Sequence, residues 1–401
     1  MKKVNVVNLC GLALLLAAYS VLMLPALAED SVVTGALSKK EQLGQSLFFD
    51  PGLSQTRSQS CATCHAPDKG FSDHRGEGVA AAVSLGDDGK SLGDRNAPAI
   101  GYAAFIPPFH RNADGVYVGG QFWDGRASTL TDQAEGPPLN PIEMALPDKQ
   151  TLVARLEQNP VYQQLFTEVY GNDIFNNADS AYRAAADAIA SFEQTSMFAP
   201  FDSKYDRYLR GEVSLTPEED LGMTLFFSQQ FTNCNLCHQL QSLPGSEQET
   251  FSNYEFHNIG VPENTALRAL NAVQTPDEGL LAHPEVTDPQ QRGKFKTPTL
   301  RNVAVTAPYM HNGVFKDLRT VVLFYNKHNS RKVSMQINPE TGEPWQEPEI
   351  AENISLEELE TGPGLDDRRI DALVAFLETL TDQRYEHLLA SPQGLEPRSD
   401  P

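Results

Sequence analysis

Two pentapeptides constrain this chain more than any other feature: Cys61-Ala62-Thr63-Cys64-His65 and Cys234-Asn235-Leu236-Cys237-His238. Both read C-x-x-C-H, the attachment signature of c-type haem. Two thiols about one helical turn apart reach the two vinyl groups of one haem, and the adjacent imidazole faces the iron as proximal ligand. One copy would leave open a redox C-x-x-C or half a zinc site. Here the pattern occurs twice, and of the five cysteines only Cys10 lies outside it. The reading is two covalent haems, held by Cys61, Cys64 and His65 and by Cys234, Cys237 and His238.

The chain repeats itself around these motifs. Gly44-Gln45-Ser46-Leu47-Phe48-Phe49 precedes the first and Gly222-Met223-Thr224-Leu225-Phe226-Phe227 the second. Each stretch follows a polar helix start, Ser38 or Thr216-Pro217-Glu218-Glu219, and leads into an apolar face. Each half closes on an amphipathic helix, Ala181 to Phe198 and Asp366 to Leu380, the latter with Ile370, Leu373, Val374, Phe376 and Leu377 at helical spacing. A helix before and a helix after the motif are what a small haem domain needs to clamp its cofactor. With sparse strand signals, the expected fold is mainly α, with two tandem cytochrome c-like domains at 29–205 and 206–390. A charged linker carrying Pro200 and Gly211 is expected at 199–215.

The first 28 residues read as a secretory signal: Lys2 and Lys3, an apolar run from Gly11 to Leu24, then an A-x-A site at Ala26-Leu27-Ala28. The run is too short for a membrane span, and Cys10 precedes it and is discarded with it. Export to the periplasm without membrane insertion is the expectation. The net charge is −22, and losing two lysines makes it more negative. Such acidity disfavours nucleic acid and suits a basic partner or plain solubility.

Between and beyond the motifs, several strings resemble the bacterial di-haem cytochrome c peroxidase/MauG superfamily: Phe122-Trp123-Asp124-Gly125-Arg126-Ala127, Gln133-Ala134-Glu135-Gly136-Pro137, Asn140-Pro141-Ile142-Glu143-Met144, Arg95-Asn96-Ala97-Pro98 and Thr297-Pro298-Thr299-Leu300-Arg301-Asn302-Val303. The similarity spans about Gly44 to Leu380. It implies that His65 serves a haem whose other face meets hydrogen peroxide. Glu143 and Gln133, ten residues apart, match the family's distal pair, and Pro137 walls the pocket. A carboxylate can move a proton from the inner to the outer peroxide oxygen while an amide orients it. Taken without the resemblance, Glu143 reads as a surface helix charge and Gln133 as a solvated side chain. Trp123 matches the position between the haems that carries electrons, and is also compatible with an ordinary core aromatic. Trp345 reads as a surface or loop residue. Asn96, Thr306 and Pro308 match the family's calcium positions. Calcium takes hard amide and carbonyl oxygens, whereas Asn96 alone reads as a turn residue.

The second haem's sixth ligand separates the branches of the family: Met in the peroxidases, Tyr in the MauG-like members. The peroxidase Met falls seven residues beyond the position of Leu318, and here that residue is Tyr325. Met310 is the rival ligand, read as packing. A hard phenolate lowers the potential of its iron. Resting peroxidases block the first haem with a His from the loop before Arg95, and residues 83–94 contain none. His74 comes too early to match, although it stays a candidate, so an open first haem is expected. The Gly119-Gly120-Gln121-Phe122-Trp123 and Phe256-His257-Asn258-Ile259-Gly260 strings suit the MbnH group of this branch, which acts on tryptophan of a partner. His257 supports the second haem's propionates or is a structural histidine. MauG passes holes through a Trp two residues before the second motif, and here that residue is Thr232, beside Phe231.

The function expected first is a peroxide-driven oxidase of aromatic residues on a partner protein. The second is a cytochrome c peroxidase reducing peroxide with electrons from a small cytochrome or cupredoxin. The third, a non-enzymatic di-haem carrier, leaves the Glu143/Gln133 pair without a role. Residues 332–364 read as an acidic insertion, either a docking surface or a solvated loop.

Overall fold

The computed structural model describes residues 36–228, 230–240 and 248–389; the expected signal segment 1–28 lies outside the described residues. Helix α1 (Lys39–Phe48) starts from a capping box in which the Ser38 hydroxyl accepts from Glu41 N and the Glu41 carboxylate accepts from Ser38 N. Short helix α2 (Cys61–Cys64) carries the first motif. There follow α3 (Leu130–Ala134), α4 (Lys149–Gln158), α5 (Pro160–Tyr170), α6 (Ala178–Glu193) and α7 (Lys204–Leu209). Helix α8 (Pro217–Phe227) repeats the logic of α1, with a Thr216/Glu219 box and proline at its first position. Helix α9 (Cys234–Cys237) carries the second motif, and α10 (Thr265–Asn271), α11 (Leu318–Asn326), α12 (Leu356–Leu359) and α13 (Asp367–Glu378) complete the order. Strand is limited to two antiparallel pairs of two-residue strands: β1 (His110–Arg111) with β2 (Tyr117–Val118), and β3 (Phe256–His257) with β4 (Phe295–Lys296).

The internal repeat becomes two equivalent crossings. Helix α1 packs on α6 and α8 packs on α13, each at a glycine. A Cβ on Gly44 would stand 1.9 Å from the Ala188 carbonyl oxygen, and one on Gly222 would stand 1.8 Å from that of Ala372. Glycine is required here by close backbone approach. The residues after each glycine fill matching cores: Leu47 and Phe48 against Phe192 and Phe198, and Leu225 and Phe226 against Phe251 and Phe376. Gly44→Ala or Gly222→Ala is expected to cost at least ~1–3 kcal/mol, because backbone rather than a flexible side chain must move. Urea titration of each variant measures this, and an unchanged midpoint would contradict the crossing geometry.

Two stretches differ from the sequence-based expectation. Residues 199–215 are no loose tether: α7 has its own Ser203/Asp206 capping box, and Phe201, Tyr205 and Asp206 are buried. Charged composition concealed this because the Asp206 charge is internally paired with Arg301. The 332–364 segment is likewise threaded into the core through Met335, Ile350 and Leu359. Trp345, expected at the surface or in a loop, packs edge-on against Phe315 and Phe324 at 5.8 and 5.6 Å, and its indole N–H donates to the Met335 carbonyl at 3.0 Å. Single apolar residues spaced among acids and prolines give no periodic signal, yet each fills its own pocket.

Candidate haem sites

A cavity of about 560 Å³ opens directly on Cys61, Cys64 and His65. The capped turn of α2 presents both thiols, and His65 Nδ1 lies 3.3 Å from the Phe71 carbonyl oxygen, leaving Nε2 for a ligand. Burial holds the His65 pKa below its usual value, so the imidazole is neutral and able to ligate. The residues lining the cavity include three with a buried polar atom that has no hydrogen-bond partner among the described residues: Gln59 Oε1, Ser84 Oγ and Glu193 Oε2. Burial pushes Glu193 up to about 8. A large void flanked by two thiols and a neutral imidazole fits a covalently attached haem.

Gln133, Pro137, Glu143 and Trp123 line the same cavity. Gln133 projects from the last turn of α3. Pro137 opens the following 3-10 turn, and its carbonyl accepts from Met144 N, folding the Glu143 segment back over the cavity. Burial raises the Glu143 pKa, partly offset by the Arg126 guanidinium and the Asn140 side chain. Arg126 stacks over the Phe122 ring at 3.6 Å. Trp123 is held from two sides: its indole N–H donates to the Asn96 carbonyl at 2.8 Å, and its own carbonyl accepts from Lys296 N at 2.9 Å.

The loop at 83–94 is latched. The Asp87 carboxylate accepts from the Ser54 and Ser58 hydroxyls at 2.7 and 2.8 Å and from Thr56 N at 2.5 Å. Its own N–H donates to the Glu143 carbonyl at 2.7 Å. These donors hold the Asp87 pKa below the usual carboxylate range. His74 is exposed, 2.9 Å from the Ser72 hydroxyl, and does not line the cavity. Asp87→Ala is expected to lower unfolding stability by ~2 kcal/mol and to speed amide exchange over 83–94. Unchanged exchange there would mean that the latch holds nothing.

At the second motif, His238 Nδ1 lies 2.9 Å from the Phe251 carbonyl oxygen, again freeing Nε2, and burial pushes the imidazole down to about 4. Tyr325, near the end of α11, lies within electrostatic reach of Cys234 and Cys237, and its hydroxyl has no hydrogen-bond partner among the described residues. Met310 sits in the 309–315 turn, packed against Val261, Phe315 and Phe324. His257 on β3 is pushed down to about 4 by burial, and its Nε2 has no hydrogen-bond partner among the described residues. Thr232 is buried, its hydroxyl donating to the Leu225 carbonyl at 2.6 Å, while neighbouring Phe231 is exposed. Two thiols, a neutral imidazole and an unpartnered phenol together fit a second haem.

Of the expected calcium residues, Asn96 is tied by its backbone to His311. Asn96 N donates to the His311 carbonyl, and the Asn96 side-chain amide donates to the Ala82 carbonyl at 3.1 Å, leaving Oδ1 free. Pro308 forms the cis Ala307–Pro308 bond, and Thr306 precedes it. Among the described residues no cluster of three or more His, Cys, Asp or Glu is placed to hold a metal.

Sequence reading did not single out Lys296. It is buried in the cavity wall, its ammonium donating to the Gly120 carbonyl, and burial pushes it down to about 7. Nor did it find the buried Arg95 fork that binds Asp124 and Asp277, each at 2.7 Å. Arg95 belongs to a recognised string, but its partner Asp277 lies in a stretch without any motif.

The di-haem cytochrome c peroxidase family profile matches residues 38–214. The methylamine utilization protein MauG of Paracoccus denitrificans is 52% identical over 377 residues, 94% of this chain and 97% of that protein. The cytochrome c peroxidase Ccp of Escherichia coli is 36% identical over 277 residues, 69% of this chain and 50% of that protein. Among solved structures, the di-haem peroxidase BthA of Burkholderia thailandensis superposes with a TM-score of 0.77 at 30% identity, covering 89% of both chains. A MauG-like protein associated with microbial copper homeostasis gives 0.62 at 29% identity, covering 90% of this chain and 93% of its own.

Proposed function

This chain belongs to the di-haem cytochrome c peroxidase family and is a MauG-like di-haem oxidoreductase, and from that premise we propose that it uses hydrogen peroxide to withdraw electrons from aromatic side chains of a partner protein. The observation that carries the reading is the convergence of Gln133, Pro137 and Glu143 on the cavity that opens on His65. Cys61, Cys64 and His65 would hold the haem that would supply the redox chemistry of peroxide reduction. Glu143 takes the proton from the inner peroxide oxygen and returns it to the outer one. Its burial raises the pKa above the usual carboxylate value, which makes it a stronger base towards the peroxide proton. Gln133 orients the peroxide, and Pro137 closes the wall against water.

His238 and Tyr325 would hold the iron of the second haem, and Trp123 would bridge the two haems. The exposed position of His74 and the latched loop at 83–94 support a first haem that is open at rest. Asn96, Thr306 and Pro308 are assigned one calcium ion. Elemental analysis of the purified protein tests this, and absence of calcium removes it. The chain is assigned to two haem domains, at 29–205 and 206–390, and to the periplasm. No described helix is long and apolar enough to cross a membrane. The test of partner oxidation is to incubate the protein with peroxide and candidate periplasmic proteins, then map new mass shifts to Trp or Tyr. If peroxide is consumed only with a small cytochrome or cupredoxin as donor, the partner-oxidising reading fails.

A further inference from the structure

We propose that Trp345 is the port through which electrons from the partner protein's aromatic side chain reach the second haem; this rests on the peroxide-driven reading above. Three rings run outward from the second haem site. Tyr325 and Phe324 have ring centroids 6.1 Å apart, and Phe324 and Trp345 have theirs 5.6 Å apart. Both contacts of the path are therefore between neighbouring rings, and the inner end is the phenol that lies near Cys234 and Cys237.

The path has one place to rest a positive charge. Phe324 is hard to oxidise, and the Lys327 ammonium stands 4.0 Å over its ring, which disfavours a second positive charge there. Phe324 is thus a bridge. Trp345 is an indole, far more easily oxidised than the Phe324 ring it meets, and the Met335 carbonyl accepts its N–H at 3.0 Å. That hydrogen bond lets the ring lose an electron while keeping its proton. Glu343 and Glu347, both exposed, flank it two residues to either side. Negative charges so placed stabilise a radical cation.

The outer end meets solvent. Trp345 is only partly buried, and Val333, two residues before Met335, is 80% exposed. An apolar contact in a segment that also carries the exposed Glu340, Glu343 and Glu347 suits a partner with basic residues around its oxidisable ring. Near the second attachment motif the exposed aromatic is Phe231, which is a poor electron donor, and Thr232 beside it is buried.

The electron count closes. Hydrogen peroxide takes two electrons and two protons and leaves as two waters. The partner's ring supplies both electrons in single steps. Each passes from that ring to the Trp345 cation, which had lost its own electron inward along Phe324 and Tyr325. The protons leave the oxidised partner to water.

The test uses the full di-haem protein and its Trp345→Phe and Trp345→Tyr variants. Peroxide is added to the ferric protein and, separately, to the half-reduced protein, with no partner present. In whichever form the haem spectrum responds, the wild type is expected to give a tryptophan radical by freeze-quench electron paramagnetic resonance and to gain oxygen at residue 345 in peptide mass spectra. With a basic ferrocytochrome c as electron source, Trp345→Phe is expected to slow the return to the resting spectrum about ten-fold, and Trp345→Tyr to restore most of the rate. The initial response to peroxide stays the same in all three, which separates electron passage from folding or haem loading. A haem response with no radical, no oxidation at 345 and equal return rates overturns the proposal while leaving the peroxide reading intact. If neither form responds to peroxide, both fall together.

Discussion

Glu143→Gln lowers the rate of peroxide consumption by about 10²–10⁴-fold, the usual contribution of a positioned proton-transfer group. Glutamine keeps the shape and the hydrogen-bonding reach but neither accepts nor returns a proton. Glu143 lines the same cavity as His65, tied by its backbone to the loop at 83–94 through Asp87 N and by its N–H to the Asn140 carbonyl. Its side chain is therefore aimed by main-chain bonds that the substitution leaves in place. The pH dependence has a definite sign. A base must be ionised to accept a proton, and burial raises this pKa. The wild-type rate therefore falls on acidification at a higher pH than an ordinary carboxylate would give, and Glu143→Gln removes that limb. Stopped-flow peroxide consumption against pH measures both. A variant within ten-fold of wild type, or one that keeps the limb, would take the proton transfer away from Glu143.

Arg301→Ala lowers the unfolding free energy by ~3–5 kcal/mol, the cost of stranding a buried charge. The guanidinium is almost wholly enclosed, and its two terminal nitrogens bind Asp206 at 2.6 and 2.9 Å. Its Nε donates to the Glu249 carbonyl at 2.7 Å, and the Tyr102, Phe201 and Phe251 rings surround it. Nearby, the Tyr102 hydroxyl donates to Asp382, which also accepts from the Asn302 amide at 2.9 Å. Arg301 and Asn302 thus join α7, the Tyr102 turn and the C-terminal residues after α13. Removing Arg301 leaves the Asp206 carboxylate without its counter-charge. The double variant Arg301→Met with Asp206→Leu is expected to recover most of the loss, since an apolar replacement of both partners avoids that penalty. Guanidinium denaturation of the single and double variants checks this, and equal losses in both would show that packing, rather than charge, dominates.

What was legible in the sequence follows the reach of each signal. The haem motifs are local: five residues carry the thiols and the imidazole together, and the fold only has to cap the short turn. The repeat was legible because Gly44 and Gly222 sit at one position of two like helices. That each glycine meets a carbonyl of α6 or α13 was not, because close approach belongs to the pair of helices. The distal residues were found through family strings, and periodicity alone would have left Glu143 on a solvated face. Trp345 lies in a loop and is partly exposed, as expected, but its packing was not legible, because its neighbours in sequence are acids and prolines while its neighbours in space, Phe315 and Phe324, come from around α11. Lys296 and Asp277 were invisible for the same reason. Their burial is set by segments far apart in the chain that meet around the first cavity.

The most direct test of the central claim is to mix hydrogen peroxide with the fully ferric protein, with no reductant present, and to follow its visible, near-infrared and Mössbauer spectra. A first haem open at rest, coupled to a Tyr325-ligated second haem, predicts a rapid change in which the signals of both irons move together. A ferric protein that ignores peroxide and responds only after one-electron reduction would contradict that account, remove Tyr325 from the second iron and require a blocking ligand at the first.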